Sequence, residues 1–175
     1  MKPKKHKNPN RNTQYANLRD CADILNNLGI KWVLFGGTLL GAIREGDIIQ
    51  NDWDVDILIL ELKKDKYFKV ISALKEKGFT PWHEMSNPAC FSRDGEYIDL
   101  YRATKSKEGI HSCIGFQFHD KFFKILKKEK LGNAEYPVPN YLKKFIELLY
   151  EKDWRIRNKV SLLTTLAHMR KKNAK

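Results

Sequence analysis

The sequence predicts a single α+β domain, close to the α/β class, in which a mixed β-sheet is flanked by helices. Two segments, 31–35 and 55–60, are rich in aliphatic and aromatic residues and short enough to be buried strands. Further along, two apolar segments flank Asp94-Gly95, a pair that is typical of a hairpin turn. Helical patterns lie between these strands, so the order is helix, strand, helix, strand, helix and hairpin. That order favours one domain, which we place at residues 12–169.

The helices are predicted from apolar residues that recur at helical spacing. The first covers residues 15–28 and ends at a glycine. Another covers residues 64–77, and its buried stripe is predicted to consist of Phe68, Ile71 and Leu74. Two more are predicted near the C-terminus, at 141–150 after an Asn140 cap and at about 160–169.

A glycine-rich turn connects the first strand to the next helix. The strand runs directly into Gly36, Gly37 and Thr38, and apolar residues at helical spacing follow. Because glycine has no Cβ, a phosphate can approach this backbone, and the helix N-terminus presents N–H groups to the anion. Gly36 and Gly37 are therefore candidate phosphate-binding residues. The alternative is a tight turn that needs glycine for its geometry alone.

Thr38 and Arg44 are further candidates for binding a substrate phosphate. The Thr38 hydroxyl would either contact the phosphate or cap the helix that follows it. Arg44 lies at the end of that helix, and its guanidinium would bind a phosphate through two hydrogen bonds. The alternative is that Arg44 is an ordinary surface arginine.

Asp54 and Asp56 are the most informative pair in the chain. They lie two residues apart at the start of a hydrophobic strand, so their side chains point to the same face. Two neighbouring carboxylates repel each other and destabilise the fold unless a cation lies between them. Hard divalent cations such as Mg²⁺ prefer such oxygen ligands. The pair predicts a metal site that would carry substrate phosphates, and the alternative is a solvated acidic turn before a strand.

These motifs together resemble the LicD/fukutin family of the nucleotidyltransferase-fold superfamily. The resemblance covers about residues 18–158 and is most specific in Gly-Gly-Thr-Leu-Leu-Gly-Ala-Ile-Arg at 36–44 and Asp-Val-Asp-Ile at 54–57. Tyr-Pro-Val-Pro-Asn at 136–140 and the segment 150–155 are similar to later family motifs. Two positions depart from the pattern: Trp53 interrupts the usual acidic run, and Glu151 stands where the family usually has glycine.

The resemblance implies a nucleotidyltransferase fold and a third acidic residue, Asp99, on a strand beside the Asp54 and Asp56 strand. Asp99 lies between Ile98 and Leu100, where an isolated charge would be costly. A salt bridge to a lysine is the alternative explanation. As a triad member, Asp99 would complete a site for one or two Mg²⁺ ions, with Mn²⁺ as the alternative ion, and would accept a proton from the attacking hydroxyl.

The chemistry implied by the resemblance is transfer of a phospho-alcohol group from a CDP-alcohol, such as CDP-choline or CDP-ribitol, to a glycan hydroxyl, with release of CMP. A nucleotidyltransferase that moves NMP from an NTP to a hydroxyl acceptor would use the same site, and the sequence leaves open which phosphorus is attacked. A third alternative is a non-catalytic RNA- or membrane-binding domain. Three acids at one buried site argue against it, because an inactive site has no use for like charges.

The net charge of +12 is concentrated at the two ends of the chain. Segments 1–11 and 170–175 together hold nine Lys and Arg residues and no acid. We predict that both segments are basic, disordered tails. If they bind anything, an anionic membrane surface or nucleic acid is expected, through contacts that salt weakens.

Composition predicts a cytoplasmic protein, with peripheral membrane contact through the tails as the alternative. The basic N-terminus is not followed by an apolar stretch, so we expect no signal peptide, and no apolar run is long enough to span a membrane. The three cysteines, Cys21, Cys90 and Cys113, have no metal-binding spacing and are predicted to be structural thiols.

Overall fold

The computed structural model describes residues 8–150 and 152–156, which form a mixed sheet flanked by helices. The α-helices are α1 (Arg11–Asn27), α2 (Gly36–Glu45), α3 (Lys64–Glu76) and α4 (Leu142–Tyr150). The strands are β1 (Trp32–Leu34), β2 (Asp54–Leu60), β3 (Thr80–Pro81), β4 (Ala89–Arg93), β5 (Glu96–Lys105), β6 (Ile110–Cys113), β7 (Phe116–His119), β8 (Lys127–Leu131) and β9 (Ala134–Val138).

The sheet places β2 and β5 side by side at its centre. The strand order is β1-β2-β5-β4-β3, and β6 and β7 continue from the far end of β5. β2 and β5 are parallel, whereas the other pairs in the sheet are antiparallel. Strands β8 and β9 form a separate hairpin. The predicted mixed sheet is therefore confirmed, and the N-terminal ends of β2 and β5 meet at one edge.

The hydrophobic runs of the sequence form the centre of this sheet because they are buried on both faces. Residues 55–60 of β2 are all buried, as expected for a central strand whose two faces are both covered by other parts of the protein. The predicted hairpin at Asp94-Gly95 connects β4 to β5. None of the three cysteines forms a disulfide bond within the described residues, and all three are buried. None of the helices in the described part of the chain is long and apolar enough to cross a bilayer.

The buried face of α3 differs from the predicted one. Phe68 is 48% exposed, whereas its neighbour Tyr67 is only 3% exposed. The buried stripe begins at Tyr67 and continues through Val70, Ile71 and Leu74. Phe68 lies about 100° further round the helix, so it falls outside that stripe. The ammonium of Lys64 lies 5.9 Å from the centroid of the Phe68 ring.

Residues 110–138 form four short strands that the sequence pattern did not predict. Each strand has only four or five residues, too few to show a clear alternation. Phe122 and Phe123 lie in the lysine-rich segment 121–130, and both rings are buried in the core. The three lysines of β8 are exposed.

The start of α1 shortens the predicted N-terminal tail. Helix α1 begins at Arg11, and the Asn10 side chain caps it by accepting the N–H of Thr13 at 3.2 Å. A guanidinium nitrogen of Arg11 lies 2.8 Å from an Asp47 carboxylate oxygen. The boundary placed after residue 11 is therefore too late. The predicted helix at 160–169 and the tail at 170–175 lie outside the described residues.

This boundary can be tested with two truncations. Deleting residues 1–7 should leave the thermal unfolding of the protein unchanged, because Asn10 and Arg11 keep their contacts. Deleting residues 1–11 removes the helix cap, which is worth about 1 kcal/mol, together with the Arg11–Asp47 contact. We therefore expect a lower melting temperature for the longer deletion alone. Equal melting temperatures for the two truncated proteins would contradict this account of the N-terminus.

Candidate active site

Three carboxylates meet where β2 and β5 begin. Asp56 and Asp99 are direct partners in the parallel register of these strands, and Asp54 lies two residues before Asp56. Partners on neighbouring strands point to the same face, as do residues two apart. Oxygen atoms of Asp54, Asp56 and Asp99 all lie within 4.8 Å of one another. The structure thus brings together the three acids that the sequence singled out.

The electrostatics of this cluster favour a cation. Asp56 and Asp99 are only 7% and 8% exposed. Burial raises the pKa of the Asp56 carboxyl well above its usual range, and the charges of Asp54, Asp52 and Asp99 raise it further. The N–H of Gly37, which donates to Asp56 Oδ2 at 2.8 Å, acts in the opposite direction. An all-oxygen donor set of this kind fits a hard divalent ion such as Mg²⁺.

The glycines of the turn leave room for these acids. A Cβ on Gly36 would lie 2.3 Å from Asp56 Oδ2, and one on Gly37 would lie 2.6 Å from Asp52 Oδ2. Gly36 also has a φ of +48°, a conformation that favours glycine. Asp56 therefore occupies the space against the N-terminus of α2 that the sequence assigned to a phosphate. A phosphate contact through this backbone stays a prediction.

Thr38 fixes the strand that carries Asp56. Its hydroxyl oxygen accepts the backbone N–H of Asp56 at 2.8 Å, and its side chain is fully buried. This placement differs from the predicted phosphate contact, because a fully buried hydroxyl offers no surface to a substrate. Thr38 instead ties α2 to β2 beside the acid cluster.

Arg44 lies at the edge of the site and has a protein partner. Its guanidinium donates two hydrogen bonds to Glu45 Oε1, at 2.7 and 3.0 Å, and its side chain is 14% exposed. Burial raises the pKa of the Tyr150 phenol well above its usual range, the charges of Asp56, Asp52 and Asp54 raise it further, and the charge of Arg44 acts in the opposite direction. Its contact with a phosphate stays a prediction.

Sequence reasoning missed three residues beside the cluster. In addition to burial, the charge of Asp52 raises the pKa values of both Asp56 and Tyr150. Asp52 was not predicted as a site residue because Trp53 separates it from Asp54. Tyr101 lies two residues after Asp99 and therefore shares its face of β5. The alternation of side chains along a strand could have predicted this position. Tyr150 arrives from α4, far along the chain, and no local pattern points to it.

A second cluster of polar side chains lies near the C-terminal ends of β2 and β5. Glu61, His111 and Asp120 approach one another within 4.8 Å. The ammonium of Lys105 lies 3.1 Å from Asp120 and 3.3 Å from Glu61. His111 is fully buried and its Nε2 lies 2.9 Å from Asp120 Oδ1. Lys105 thus supplies the positive charge that these two carboxylates need.

Asp120 should make this second cluster sensitive to acid. Its hydrogen bond to His111, followed by the one to Lys105, lowers the pKa of the Asp120 carboxyl to about 2. An unfolded aspartate titrates near pH 4, so the stabilisation is complete above about pH 4 and is lost as the pH falls towards about 2. We expect Asp120→Asn to unfold with a weaker pH dependence in that window. Urea titrations between pH 2 and 6 would test this, and identical slopes for both proteins would contradict it.

The fold and the acid site together define a nucleotidyltransferase-like domain. The model of the LicD/FKTN/FKRP nucleotidyltransferase-domain family matches residues 29–141, which is more than half of the chain. The chain therefore belongs to the LicD/FKTN/FKRP family. The matched segment runs from the end of α1 to the start of α4 and includes the glycine turn and all three acids.

Two curated relatives are uncharacterised rickettsial proteins. One, from Rickettsia typhi (strain ATCC VR-144 / Wilmington), is 29% identical over 126 residues, covering 69% of this chain and 40% of the relative. The other, from Rickettsia prowazekii (strain Madrid E), is 28% identical over 134 residues, covering 72% of this chain and 49% of the relative. The chain thus spans less than half the length of either relative.

Solved structures of antibiotic-modifying enzymes share the fold. The lincomycin-bound lincosamide antibiotic adenylyltransferase LnuA superposes with a TM-score of 0.57 at 14% identity, covering 93% of this chain and 98% of that chain. ANT(2'')-Ia in complex with adenylyl-2''-tobramycin superposes with a TM-score of 0.56 at 11% identity, covering 92% and 99%. At such low identity the likeness establishes the nucleotidyltransferase fold alone.

Proposed function

We propose that this domain transfers a phospho-alcohol group, such as phosphocholine or ribitol phosphate, from a CDP-alcohol to a glycan hydroxyl and releases CMP. The observation that carries the proposal is the cluster of Asp54, Asp56 and Asp99, whose oxygens lie within 4.8 Å of one another. Membership of the LicD/FKTN/FKRP family supports transferase chemistry at this cluster. The identity of the acceptor belongs to the proposal as well.

In this proposal the three carboxylates hold Mg²⁺, with Mn²⁺ as the alternative ion. When bound, the ion supplies charge neutralisation for the pyrophosphate and polarisation of the phosphoryl oxygens. The Thr38 hydroxyl oxygen accepts the backbone N–H of Asp56, and the N–H of Gly37 donates to the Asp56 carboxylate. Both hydrogen bonds hold Asp56 in place. Positioning of this kind is a large part of catalysis in phosphoryl transfer.

Asp99 is the proposed general base. The oxygen of the acceptor hydroxyl forms a bond to the phosphorus that carries the alcohol, and the bond from that phosphorus to the CMP oxygen breaks. The hydroxyl proton passes to Asp99, and CMP leaves with the bonding electrons. Asp99 suits this role because it is nearly buried, belongs to the cluster and faces the same side of the sheet as Asp56.

A nucleotidyltransferase reaction is the second candidate, and the shared fold favours it. Of the two solved structures above, one is named a lincosamide antibiotic adenylyltransferase, and the other is a complex with adenylyl-2''-tobramycin. In that reaction the same acids would serve an attack on the α-phosphorus of an NTP, with pyrophosphate as the leaving group. The two candidates therefore differ in their products.

Product analysis separates the candidates. The purified protein would be incubated with Mg²⁺, a panel of monosaccharide acceptors, and either CDP-choline, CDP-ribitol, CTP or ATP. We expect CMP from a CDP-alcohol, dependent on Mg²⁺ and abolished by EDTA and by Asp56→Asn. Pyrophosphate from an NTP without CMP would favour the nucleotidyltransferase. Salt-sensitive binding to RNA or anionic vesicles, with no nucleotide product, would favour a non-catalytic domain.

A further inference from the structure

Two buried tyrosines border the acid cluster, and their hydroxyls have no hydrogen-bond partner among the described residues. Tyr101 is 8% exposed and Tyr150 is 3% exposed. Among residues 8–150 and 152–156, no group forms a hydrogen bond with either hydroxyl. Neither oxygen is among the fully enclosed unpartnered atoms, so each keeps some access to the space around it. Each hydroxyl is therefore available to donate a hydrogen bond to a ligand that enters this space.

Both phenols lie close enough to the acid cluster to interact electrostatically with Asp56. Tyr101 shares the face of β5 with Asp99, and its ring packs edge-on against Phe35 with centroids 5.0 Å apart. The Tyr101 oxygen is within electrostatic range of Asp56, Asp99 and Asp54. The Tyr150 phenol, at the end of α4, interacts electrostatically with Asp56, Asp52 and Asp54. The Tyr101 and Tyr150 phenols also interact electrostatically.

The chemistry of these neighbours identifies a ligand for the hydroxyls. A phenol is a neutral donor, so it can serve an anionic ligand without adding a positive charge that would compete for the carboxylates. The oxygens of a pyrophosphate are strong acceptors, and they must lie beside a cation held by Asp54, Asp56 and Asp99. Both hydroxyls therefore border the space that such a group would enter.

We propose that Tyr101 and Tyr150 donate hydrogen bonds to the pyrophosphate oxygens of the nucleotide donor. This inference rests on the proposed function, because it assumes that the donor carries a pyrophosphate. It assigns the two phenols to binding of the donor and leaves the acceptor to other residues.

Removal of the hydroxyls alone tests the assignment. Tyr101→Phe and Tyr150→Phe keep both rings, and titration calorimetry with Mg²⁺ and inorganic pyrophosphate measures the affinity directly. We expect each variant to bind this probe about 10- to 100-fold more weakly, the usual effect of losing a hydrogen bond to a charged group. Melting temperatures should be unchanged or higher, because neither hydroxyl has a hydrogen-bond partner to lose in the part of the chain that the structure describes.

Tyr67→Phe is the matched control. Tyr67 is equally buried, but its hydroxyl donates to the carbonyl of Glu84. This variant should melt at a lower temperature and bind pyrophosphate like the wild type. The proposal would be overturned by wild-type affinity in both active-site variants, by a loss of stability in them that matches Tyr67→Phe, by an effect on the acceptor KM alone, or by no binding of the probe to the wild-type protein.

The outcomes also separate this inference from the proposed function. If no CDP-alcohol yields CMP but both phenylalanine variants bind pyrophosphate weakly, the function fails and the inference stands. If CMP is released and both variants keep the wild-type kcat/KM and pyrophosphate affinity, the function stands and the inference fails.

Discussion

Replacing Asp99 by alanine should reduce turnover by about 10²- to 10⁴-fold, the range expected for loss of a general base. The change also removes one of the three proposed metal ligands, so the Mg²⁺ concentration needed for activity should rise. Steady-state kinetics across a Mg²⁺ titration would measure both effects. Asp120→Asn, in the cluster at the opposite ends of β2 and β5, is the control and should keep full turnover.

Asp56→Asn gives a complementary result because it separates activity from stability. The amide oxygen of asparagine can still accept the N–H of Gly37, so the local structure should persist. Without metal, removing a buried charge that is repelled by Asp54, Asp52 and Asp99 should raise the melting temperature, by about 2–4 °C for each kcal/mol regained. Mg²⁺ should stabilise the wild-type protein but not the variant. Full activity in Asp56→Asn or Asp99→Ala would refute the assignment of the cluster as the active site.

The second large effect is expected at Gly36. An alanine Cβ would lie 2.3 Å from Asp56 Oδ2, so the carboxylate would have to move by about 1 Å. A displacement of that size costs about 10²-fold in rate, since catalysis depends on the exact position of the reacting groups. The positive φ of Gly36 adds strain of about 1–2 kcal/mol in the folded state.

Gly46→Ala is the control that isolates the contact with Asp56. Gly46 also has a positive φ, of +68°, but nothing lies within 4 Å of its virtual Cβ. Both variants should therefore lose stability in denaturant titrations, Gly36→Ala more because of its clash with Asp56, and only Gly36→Ala should lose turnover. Equal kinetics for the two would mean that the position of Asp56 does not depend on Gly36.

Local patterns predicted the centre of the fold because its signals are strong. The aliphatic run of β2 and the Asp-Gly turn before β5 each specify one structure. The family resemblance predicted that Asp99 lies beside Asp56. In the structure this position follows from the register of two parallel strands, β2 and β5, which are joined through α3 and the β4 hairpin. The short strands of residues 110–138 gave no such signal, because four residues cannot distinguish a strand from a loop.

The site itself was predicted less completely than the fold. Asp54 and Asp56 followed from the strand pattern, but the role of the glycines did not, because only the packing of Asp56 and Asp52 against the turn explains why Gly36 and Gly37 cannot carry a side chain. Thr38 was assigned to a phosphate, whereas its burial and its bond to Asp56 give it a structural task. Tyr150 belongs to the site through the docking of α4, a tertiary contact that no local pattern encodes.

Crystallography with Mn²⁺ is the most direct test of the acid cluster as a metal-dependent active site. Crystals of the wild-type protein would be soaked with Mn²⁺ and a CDP-alcohol, and anomalous scattering would locate the ion. The account predicts a peak about 2.0–2.3 Å from oxygens of Asp54, Asp56 and Asp99, a peak that Asp99→Ala weakens or removes. No peak at the cluster, or a peak only beside Glu61, His111 and Asp120, would contradict it.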